Sequence, residues 1–456
     1  MANPDHPQAG DPQPKPLGVK RRTGKPAQGD GVVPGFAARA GALHMIDAVL
    51  DGGGMLDEAG LSGSPAERAE AHGLADLTLR RLGQIDDALG RFVQRMPKPP
   101  VDHVLRLMAA ELIFVGTAPH AAVDLAVRLV KARSGAAKLA GMVNAVGRRL
   151  AEQGAEIAAG QDAAALNTPR WLWRRLAADW GAPATRAIAE AHLTPAPHDL
   201  TLKHPLQAAA LVDALGAESL PTDSLRLPGR PQISAMPGYA TGDWWAQDAA
   251  AALPARLIPA LKGKRVLDLC AAPGGKTLQL AAAGAEVTAL DIRDHRMARL
   301  AENLARTGLT AETVVADALH WTPARPFDAI LIDAPCSATG TIRRHPDLPH
   351  RFPARGIELA PLTALQAQLL DRAAGWLAPG GLLVFCTCSL FRAEGEDQAK
   401  AFLTRQPGFS RVPVAAGEAG IPAEFLTPEG DLRTRPYFWI ERGGRDGFFA
   451  ARFRKE

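Results

Sequence analysis

Residues 265–277 read Arg265-Val266-Leu267-Asp268-Leu269-Cys270-Ala271-Ala272-Pro273-Gly274-Gly275-Lys276-Thr277. The first six form a short apolar run of the kind that fills the middle of a parallel sheet. The run breaks at small residues and a glycine pair, and a helix follows. Gly274-Gly275 lets the backbone come close to a ligand at a helix start, where unpaired amides point outward. The turn is not Gly-x-Gly-x-x-Gly. Any tight strand-to-helix turn favours glycine, so the turn alone decides little.

Downstream the alternation repeats. Glu286 to Asp291 is a second strand, and His295 to Arg306 a helix stopped by Gly308. Thr313-Val314-Val315 begins a third strand ending near Asp317, and Phe327 to Asp333 is a fourth. A helix around Leu362 to Leu377 stops at Pro379-Gly380-Gly381, and Leu382 to Cys388 is a fifth strand. Arg433 to Trp439 and Gly447 to Arg454 read as a terminal hairpin. Strands alternating with helices specify a doubly wound α/β domain over 241–456. Acids close the second, third and fourth strands at Asp291, Asp317 and Asp333. Asp291 is placed to accept from ribose hydroxyls. Three strand-end acids around one turn suit an adenosine ligand without a pyrophosphate, which favours S-adenosylmethionine over NAD.

The fourth strand runs on into Asp333-Ala334-Pro335-Cys336-Ser337, and the fifth ends in Thr387-Cys388-Ser389. Such strand ends converge on the crevice where the strand order reverses, so an acid and two thiols face one ligand. Cys386 and Cys388 share a strand face, and either can be an inert core thiol by periodicity. Cys388 is the one at the strand end.

Upstream, apolar residues recur at spacings of three and four from Pro34 to about Ala155, which predicts an all-α bundle of six or seven helices over 33–155. Residues 165–240 form a small α+β connector. A helix opens after Thr168-Pro169, a second runs near Thr185 to His192, and strand-like pieces follow at Leu200 to Lys203 and Ser224 to Leu227. Trp171 and Trp173 read as interdomain packing, with stacking on RNA bases as the alternative. Residues 1–30 hold six Pro and five Lys or Arg with almost nothing apolar, so a disordered basic tail is expected over 1–32.

At 456 residues the chain has room for about three domains. Its 47% hydrophobic and 22% charged residues exclude wholesale disorder. No apolar run reaches the roughly 18 residues of a membrane span, and the N-terminus lacks a signal-peptide pattern. Of the 52 basic residues 40 are Arg, which suits phosphate and base contacts, although codon bias gives the same composition. The four cysteines contain no Cys-x-x-Cys pair and the 12 His no ligand spacing. No metal is expected, and a soluble monomer in a reducing cytoplasm is.

The strings Leu269 to Thr277, Asp333-Ala334-Pro335-Cys336-Ser337-Ala338-Thr339-Gly340, Arg343-Arg344-His345-Pro346-Asp347 and Thr387-Cys388-Ser389 closely resemble the RNA 5-methylcytosine methyltransferases of the Sun/NOL/NOP family, over nearly the whole C-terminal half. Ala109 to Leu112, Pro119 to Asp124 and Gly141 to Leu150 resemble the NusB-like RNA-binding domain. Two stretches depart from the pattern. Thr201-Leu202-Lys203 stands where the family has an Arg-Val-Asn-like strand, and Ala393-Glu394-Gly395-Glu396-Asp397 where it has a Glu-Glu-Asn-Glu-like run.

The resemblance implies an α/β fold with a Rossmann-like methyltransferase domain behind an all-α NusB-like domain. It implies methyl transfer from S-adenosylmethionine to carbon 5 of a cytosine in RNA. The implied substrate is small-subunit (16S) ribosomal RNA, with transfer RNA as the alternative. Carbon 5 of cytosine is a weak nucleophile, so a thiolate first adds at carbon 6. The enamine then takes the methyl group, a base removes the carbon-5 proton, and the thiolate leaves. The family's pattern makes Cys388 the nucleophile, Cys336 the group assisting release, and Asp333 the partner of ring nitrogen 3. It assigns the cofactor to Cys270, Ala271, Ala272, Pro273, Gly274, Gly275, Lys276, Asp291, Asp317 and Asp333. Lys276 is otherwise a surface lysine at a helix start. Arg343, Arg344 and His345 meet the RNA backbone or lie on a solvated loop. His120 reads as a helix-start or packing residue and Asn144 as a buried hydrogen-bonding one, while Arg148 and Arg149 grip phosphate or are solvated. Two rivals stand behind this reading: an RNA-binding assembly or antitermination factor with a silent methyltransferase fold, and, more weakly, a dehydrogenase. A silent fold has no chemical need of Cys336 and Cys388.

Overall fold

The structure, a computed structural model, describes residues 34–352 and 356–456, so the tail expected over 1–32 lies outside the described residues. Six α-helices build the N-terminal bundle: α1 (Phe36–Leu50), α2 (Pro65–Arg80), α3 (Leu82–Gly90), α4 (Val101–Ala110), α5 (Pro119–Lys131) and α6 (Ala140–Ala159). Ser64 opens α2 with a capping box shared with Glu67, and Pro65 fills the first helical position, where no N–H is needed. Helix α4 widens into a π-helical turn over Glu111–Val115. The buried Glu111 there accepts from Arg39 Nη2 of α1 at 2.6 Å. At Gly147, α6 approaches α4 and α5 so closely that a Cβ would sit 2.6 Å from Val123 Cγ2 and 2.9 Å from Met108 Sδ. Asn144 is not the buried residue expected. Val143, Val146, Gly147 and Leu150 form the inward stripe of α6, and Asn144 falls off that stripe at the rim of a surface cavity.

Helices α7 (Ala163–Asn167) and α8 (Arg170–His192) lead into the connector, and α8 is broken at Gly181, where φ is 77°. The two expected helices are the halves of α8. Strands β1 (Asp199–Leu202), β2 (Glu218–Ser219), β3 (Ser224–Arg226) and β4 (Trp244–Ala246) form an antiparallel sheet in the order β2-β3-β1-β4, with α9 (Ala208–Leu215) packed on it. The sheet therefore runs past the boundary expected at 240. Trp244 belongs to the connector's core with Leu200 and Leu225, and β4 completes the far edge of β1.

The C-terminal domain contains α10 (Leu253–Arg256), β5 (Arg265–Leu269), α11 (Gly275–Ala282), β6 (Glu286–Asp291), α12 (Asp294–Thr307), β7 (Glu312–Val315), β8 (Phe327–Asp333), α13 (Ala360–Trp376), β9 (Leu377–Thr387), α14 (Glu396–Arg405), β10 (Phe409–Arg411), β11 (Leu432–Arg433) and β12 (Phe449–Lys455). The sheet order is β10-β12-β9-β8-β5-β6-β7, and β5 to β9 are parallel. Side chains alternate by strand parity, as a sheet covered on both faces requires. Leu267, Leu269, Ile330, Ile332, Leu383 and Phe385 face α13 and α14, while Val266, Val287, Leu331 and Val384 face α10 and α11. The strand order reverses between β5 and β8, which sets the crevice at their C-terminal ends.

The terminal hairpin is much shorter on one side than the sequence suggests. Only Leu432 and Arg433 pair with β12, whose long partner is β9 in antiparallel register. Pro436 cannot donate to a ladder, and Phe438 and Trp439 instead pack on Phe425, with ring centroids 5.3 and 5.0 Å away.

The N-terminal bundle is clasped to the segment that follows the Cys336 loop. Arg80, held by Asp76 at 3.0 Å, donates to the carbonyls of His192 (3.0 Å) and Arg343 (2.9 Å). His350 Nε2 donates to Leu79 O at 2.9 Å, and Leu56 N to Asp347 at 3.4 Å. Leu172, Leu176 and Ile188 of α8 share a cluster with Ile342, Leu348, Leu390 and Phe391, and Trp171 packs edge-on against Phe352. Trp171 is thus a packing residue. Among the described residues no helix is long and apolar enough to cross a membrane.

Candidate active site

The turn after β5 is shaped by two left-handed residues, Cys270 at φ 63° and Gly274 at φ 108°. A Cβ on Gly274 would press on Leu300 at 2.9 Å, so the sequence needs glycine there for both conformation and space. The turn delivers the amides of Gly275 and Lys276 at the N-terminus of α11. Asp291, at the end of β6, holds the turn in place: Oδ2 accepts from Ala272 N at 3.2 Å and Oδ1 from Arg293 N at 2.9 Å. Each oxygen keeps acceptor capacity. Asp317 lies two residues beyond β7. The amide of Leu319 and then His320 Nδ1, each 2.9 Å away, hold its carboxyl below the ordinary range.

A cavity of about 430 Å³ opens at the reversal point, within the range of roughly 300–1,000 Å³ typical of small-molecule sites. Ala271, Pro273, Gly275, Lys276, Asp333 and Cys388 line it, whereas Cys270, Ala272, Gly274, Asp291, Asp317 and Cys336 are not among its lining residues. The connector contributes Tyr239, Trp245 and Gln247, so the second sheet forms part of the site.

Lys276 is no surface residue. Its side chain is 7% exposed and its Nζ sits 2.7 Å from Asp333 Oδ2 and 5.1 Å from the Phe448 ring centroid. Burial works against its charge, but the Asp333 carboxylate outweighs it and holds the ammonium above its ordinary range. Asp268, one residue before the end of β5, was not anticipated as part of the site. It is fully buried on the cavity wall, accepts from Thr277 Oγ1 at 2.5 Å, and burial pushes its carboxyl up to about 7. Its Oδ1 has no hydrogen-bond partner. A buried acid inside an apolar strand was the available signal.

Cys336 and Cys388 meet across the crevice, Sγ to Sγ at 3.5 Å. The hydrogen bond that Cys336 donates to Cys388, then burial, then the charges of Cys388 and Glu394 push the Cys336 thiol well up. Cys386 is fully buried, its Sγ 3.6 Å from Asp333 Oδ1, and burial raises its thiol too. Arg343 meets neither expectation, and Arg344 is no solvated loop residue but borders the cavity. Arg343 is wholly buried and donates to the carbonyls of Thr194 and Pro195. Arg344 pairs with Asp248 at 2.5 Å and Asp446 at 2.9 Å, acids supplied from far along the chain on either side. His345 lies 3.5 Å from Asp57 of the N-terminal bundle. In that bundle His120, Lys131, Asn144 and Arg148 border a cavity of about 960 Å³, and Arg149 lies over Phe92.

A doubly wound sheet with a glycine turn after its first crevice strand, strand-end acids and no pyrophosphate loop defines a class, the S-adenosylmethionine-dependent methyltransferases. The donor set fits that cofactor: turn amides and Asp291 offer groups for a nucleoside and an amino acid, and buried acids line the cavity, which suits a cationic ligand. The family described as 16S rRNA methyltransferase RsmB/F matches residues 256–454, and the NusB family matches 37–152. Ribosomal RNA small subunit methyltransferase B of Xanthomonas campestris pv. campestris is 37% identical over 84% of this chain and 91% of its own. The crystal structure of PH0851 superposes with a TM-score of 0.69 at 22% identity, over 93% of this chain and 99% of that one. A methyltransferase homolog protein from Pyrococcus horikoshii gives 0.51 at 27% identity, over 62% and 94%. The chain belongs to the ribosomal RNA small subunit methyltransferase B family. It is an S-adenosylmethionine-dependent RNA cytosine-5 methyltransferase.

Proposed function

We propose that this enzyme methylates carbon 5 of a cytosine in small-subunit ribosomal RNA through a covalent adduct on Cys388, with Cys336 resolving it. The observation that carries this reading is the 3.5 Å approach of the two thiols beside the Lys276–Asp333 pair. Cys388 borders the cavity and adds as thiolate to carbon 6 of the cytosine. Asp333, fixed by Lys276, stands where ring nitrogen 3 gains charge. When bound, S-adenosylmethionine supplies an electrophilic methyl group. Once carbon 5 carries the methyl, Cys388 is a thioether, and the hydrogen bond and charge with which it held up the Cys336 thiol are gone. Cys336 can then give up its own proton to water and, as thiolate, take the carbon-5 proton. The carbon–hydrogen bond pair reforms the 5,6 double bond, and the carbon–sulfur bond breaks to return Cys388 as thiolate.

The turn residues Cys270 to Lys276 with Asp291 would hold the cofactor, and Asp317 its adenine side. Arg148 and Lys131 at the rim of the N-terminal cavity would take RNA phosphate. A working pair of free thiols this close supports a reducing cytoplasm. The test is bisulfite sequencing of ribosomal and transfer RNA from a strain lacking the enzyme. One cytosine in small-subunit RNA should lose its mark and regain it on incubation with the protein and S-adenosylmethionine. A mark lost only from transfer RNA refutes the substrate assignment.

A further inference from the structure

Glu394 ends a 3-10 turn just before α14 and is fully buried, yet it makes no ion pair among the described residues. Burying a carboxylate without a cation is costly unless hydrogen bonds replace its water. Four donors do so. Oε1 accepts from Ser337 N at 2.9 Å and Gln366 Nε2 at 3.1 Å; Oε2 accepts from Ser337 Oγ at 2.5 Å and Ser389 Oγ at 2.6 Å. Its own carbonyl accepts from Thr387 Oγ1 at 3.0 Å. Ser337 follows Cys336 in the loop after β8, and Ser389 follows Cys388 in the loop after β9. One carboxylate thus ties together the residues next to both thiols, while Gln366 anchors it to α13.

We propose that Glu394 is the positioning residue of the thiol pair: it sets Cys336 and Cys388 side by side and directs Cys336 to the release step. The inference rests on the two-thiol reading above. Three of the four hydrogen bonds come from the serines beside the cysteines, so loss of the carboxylate frees both loops at the point where the sulfurs meet. The negative charge acts in the same sense. Once Cys336 has ionised, the charge makes its thiolate the stronger base toward the carbon-5 proton, and Cys388 remains the attacking sulfur. A glutamine would keep the shape and, with the serine hydroxyls reoriented, most of the hydrogen bonds, but it carries no charge.

Glu394→Gln and Glu394→Ala, made in the full chain, test this with labelled RNA and S-adenosylmethionine. In Glu394→Gln, kcat should fall about tenfold through a weakened proton acceptor, while KM for RNA and affinity for S-adenosylhomocysteine stay within about twofold. An RNA–protein adduct should build up on denaturing gels and vanish when Cys388→Ala is added. Glu394→Ala should lose about a hundredfold in kcat, because small misplacements of reacting groups cost on that order. A native kcat in both variants overturns the proposal. So does slow turnover without an adduct in Glu394→Gln, or loss of S-adenosylhomocysteine binding alongside activity, which would mark a general folding element. If Cys388→Ala alone retains methyl transfer, the two-thiol reading fails and takes this proposal with it. If Cys388→Ala is inactive and Glu394→Gln is native, only the positioning role fails.

Discussion

Cys336 Sγ lies 3.5 Å from Cys388 Sγ although 52 residues separate them in the chain. The two loops reach each other because β8 and β9 are parallel neighbours, paired through Asp333 and Cys386. The thiols occupy one crevice but differ chemically, since Cys388 borders the cavity and Cys336, not among its lining residues, is held protonated.

Substituting each thiol should therefore give opposite products. Cys388→Ala removes the attacking sulfur, so neither adduct nor methylated RNA should form. Cys336→Ala permits addition and methyl transfer but slows proton removal, so a Cys388-linked RNA adduct should accumulate and depend on S-adenosylmethionine. Denaturing gels with labelled RNA show it as a retarded band. The reverse pattern would exchange the two roles.

Asp291→Ala should weaken S-adenosylhomocysteine binding about ten- to a hundredfold, the equivalent of about 1.5–3 kcal/mol for a hydrogen bond to a charged group. Two backbone amides, of Ala272 and Arg293, also lose their acceptor. A modest drop in melting temperature should accompany the loss. Calorimetry finding native affinity in a folded variant would remove Asp291 from the cofactor site.

Asp268 gives a pH signature. Folded, its carboxyl ionises only near about 7; unfolded, from near 3.8. Between those values the folded chain holds the extra proton, so this group's contribution is full below about 4 and is lost as pH rises toward 7. Asp268→Asn keeps an acceptor for Thr277 and lacks the titration. The stability of the native protein relative to this variant should fall by a few kcal/mol between pH 4 and pH 7. Melting curves of both proteins at pH 5, 6, 7 and 8 read this, and parallel curves would show that Asp268 does not titrate in that window.

Arg80→Ala should destabilise the molecule by about 3–5 kcal/mol, the usual result of stripping one member from a buried ion pair. Asp76 would be left unpaired, and the carbonyls of His192 and Arg343 would lose their donor. Denaturant titration measures it. A change below about 1 kcal/mol, as at a surface pair, would mean that the bundle is only loosely attached to the catalytic domain.

Sequence reasoning reached furthest where chemistry is local. The strand, glycine turn and helix over 265–277, and the cysteines that follow β8 and β9, are each read within a dozen residues, and the parallel topology brings them together. Arg344 and Glu394 were unreadable for the opposite reason. Arg344 is neutralised by Asp248 and Asp446, and Glu394 by donors on three separate segments, and nothing periodic in the chain announces such partnerships. Lys276 reads two ways in the sequence because only folding brings Asp333 to it. The connector's end was misplaced at 240 because β4 is three residues long and too short to announce a strand.

Strand β12 is inserted between β9 and β10, and Phe448, immediately before it, walls the cavity beneath Lys276. The glycine turn and both cysteines are all made earlier in synthesis. A nascent chain that has already exposed them still lacks the strand that braces β9 and the ring that seats the lysine. A chain cut before Phe448 would therefore keep every catalytic side chain and still lack the strand and the ring that complete the site.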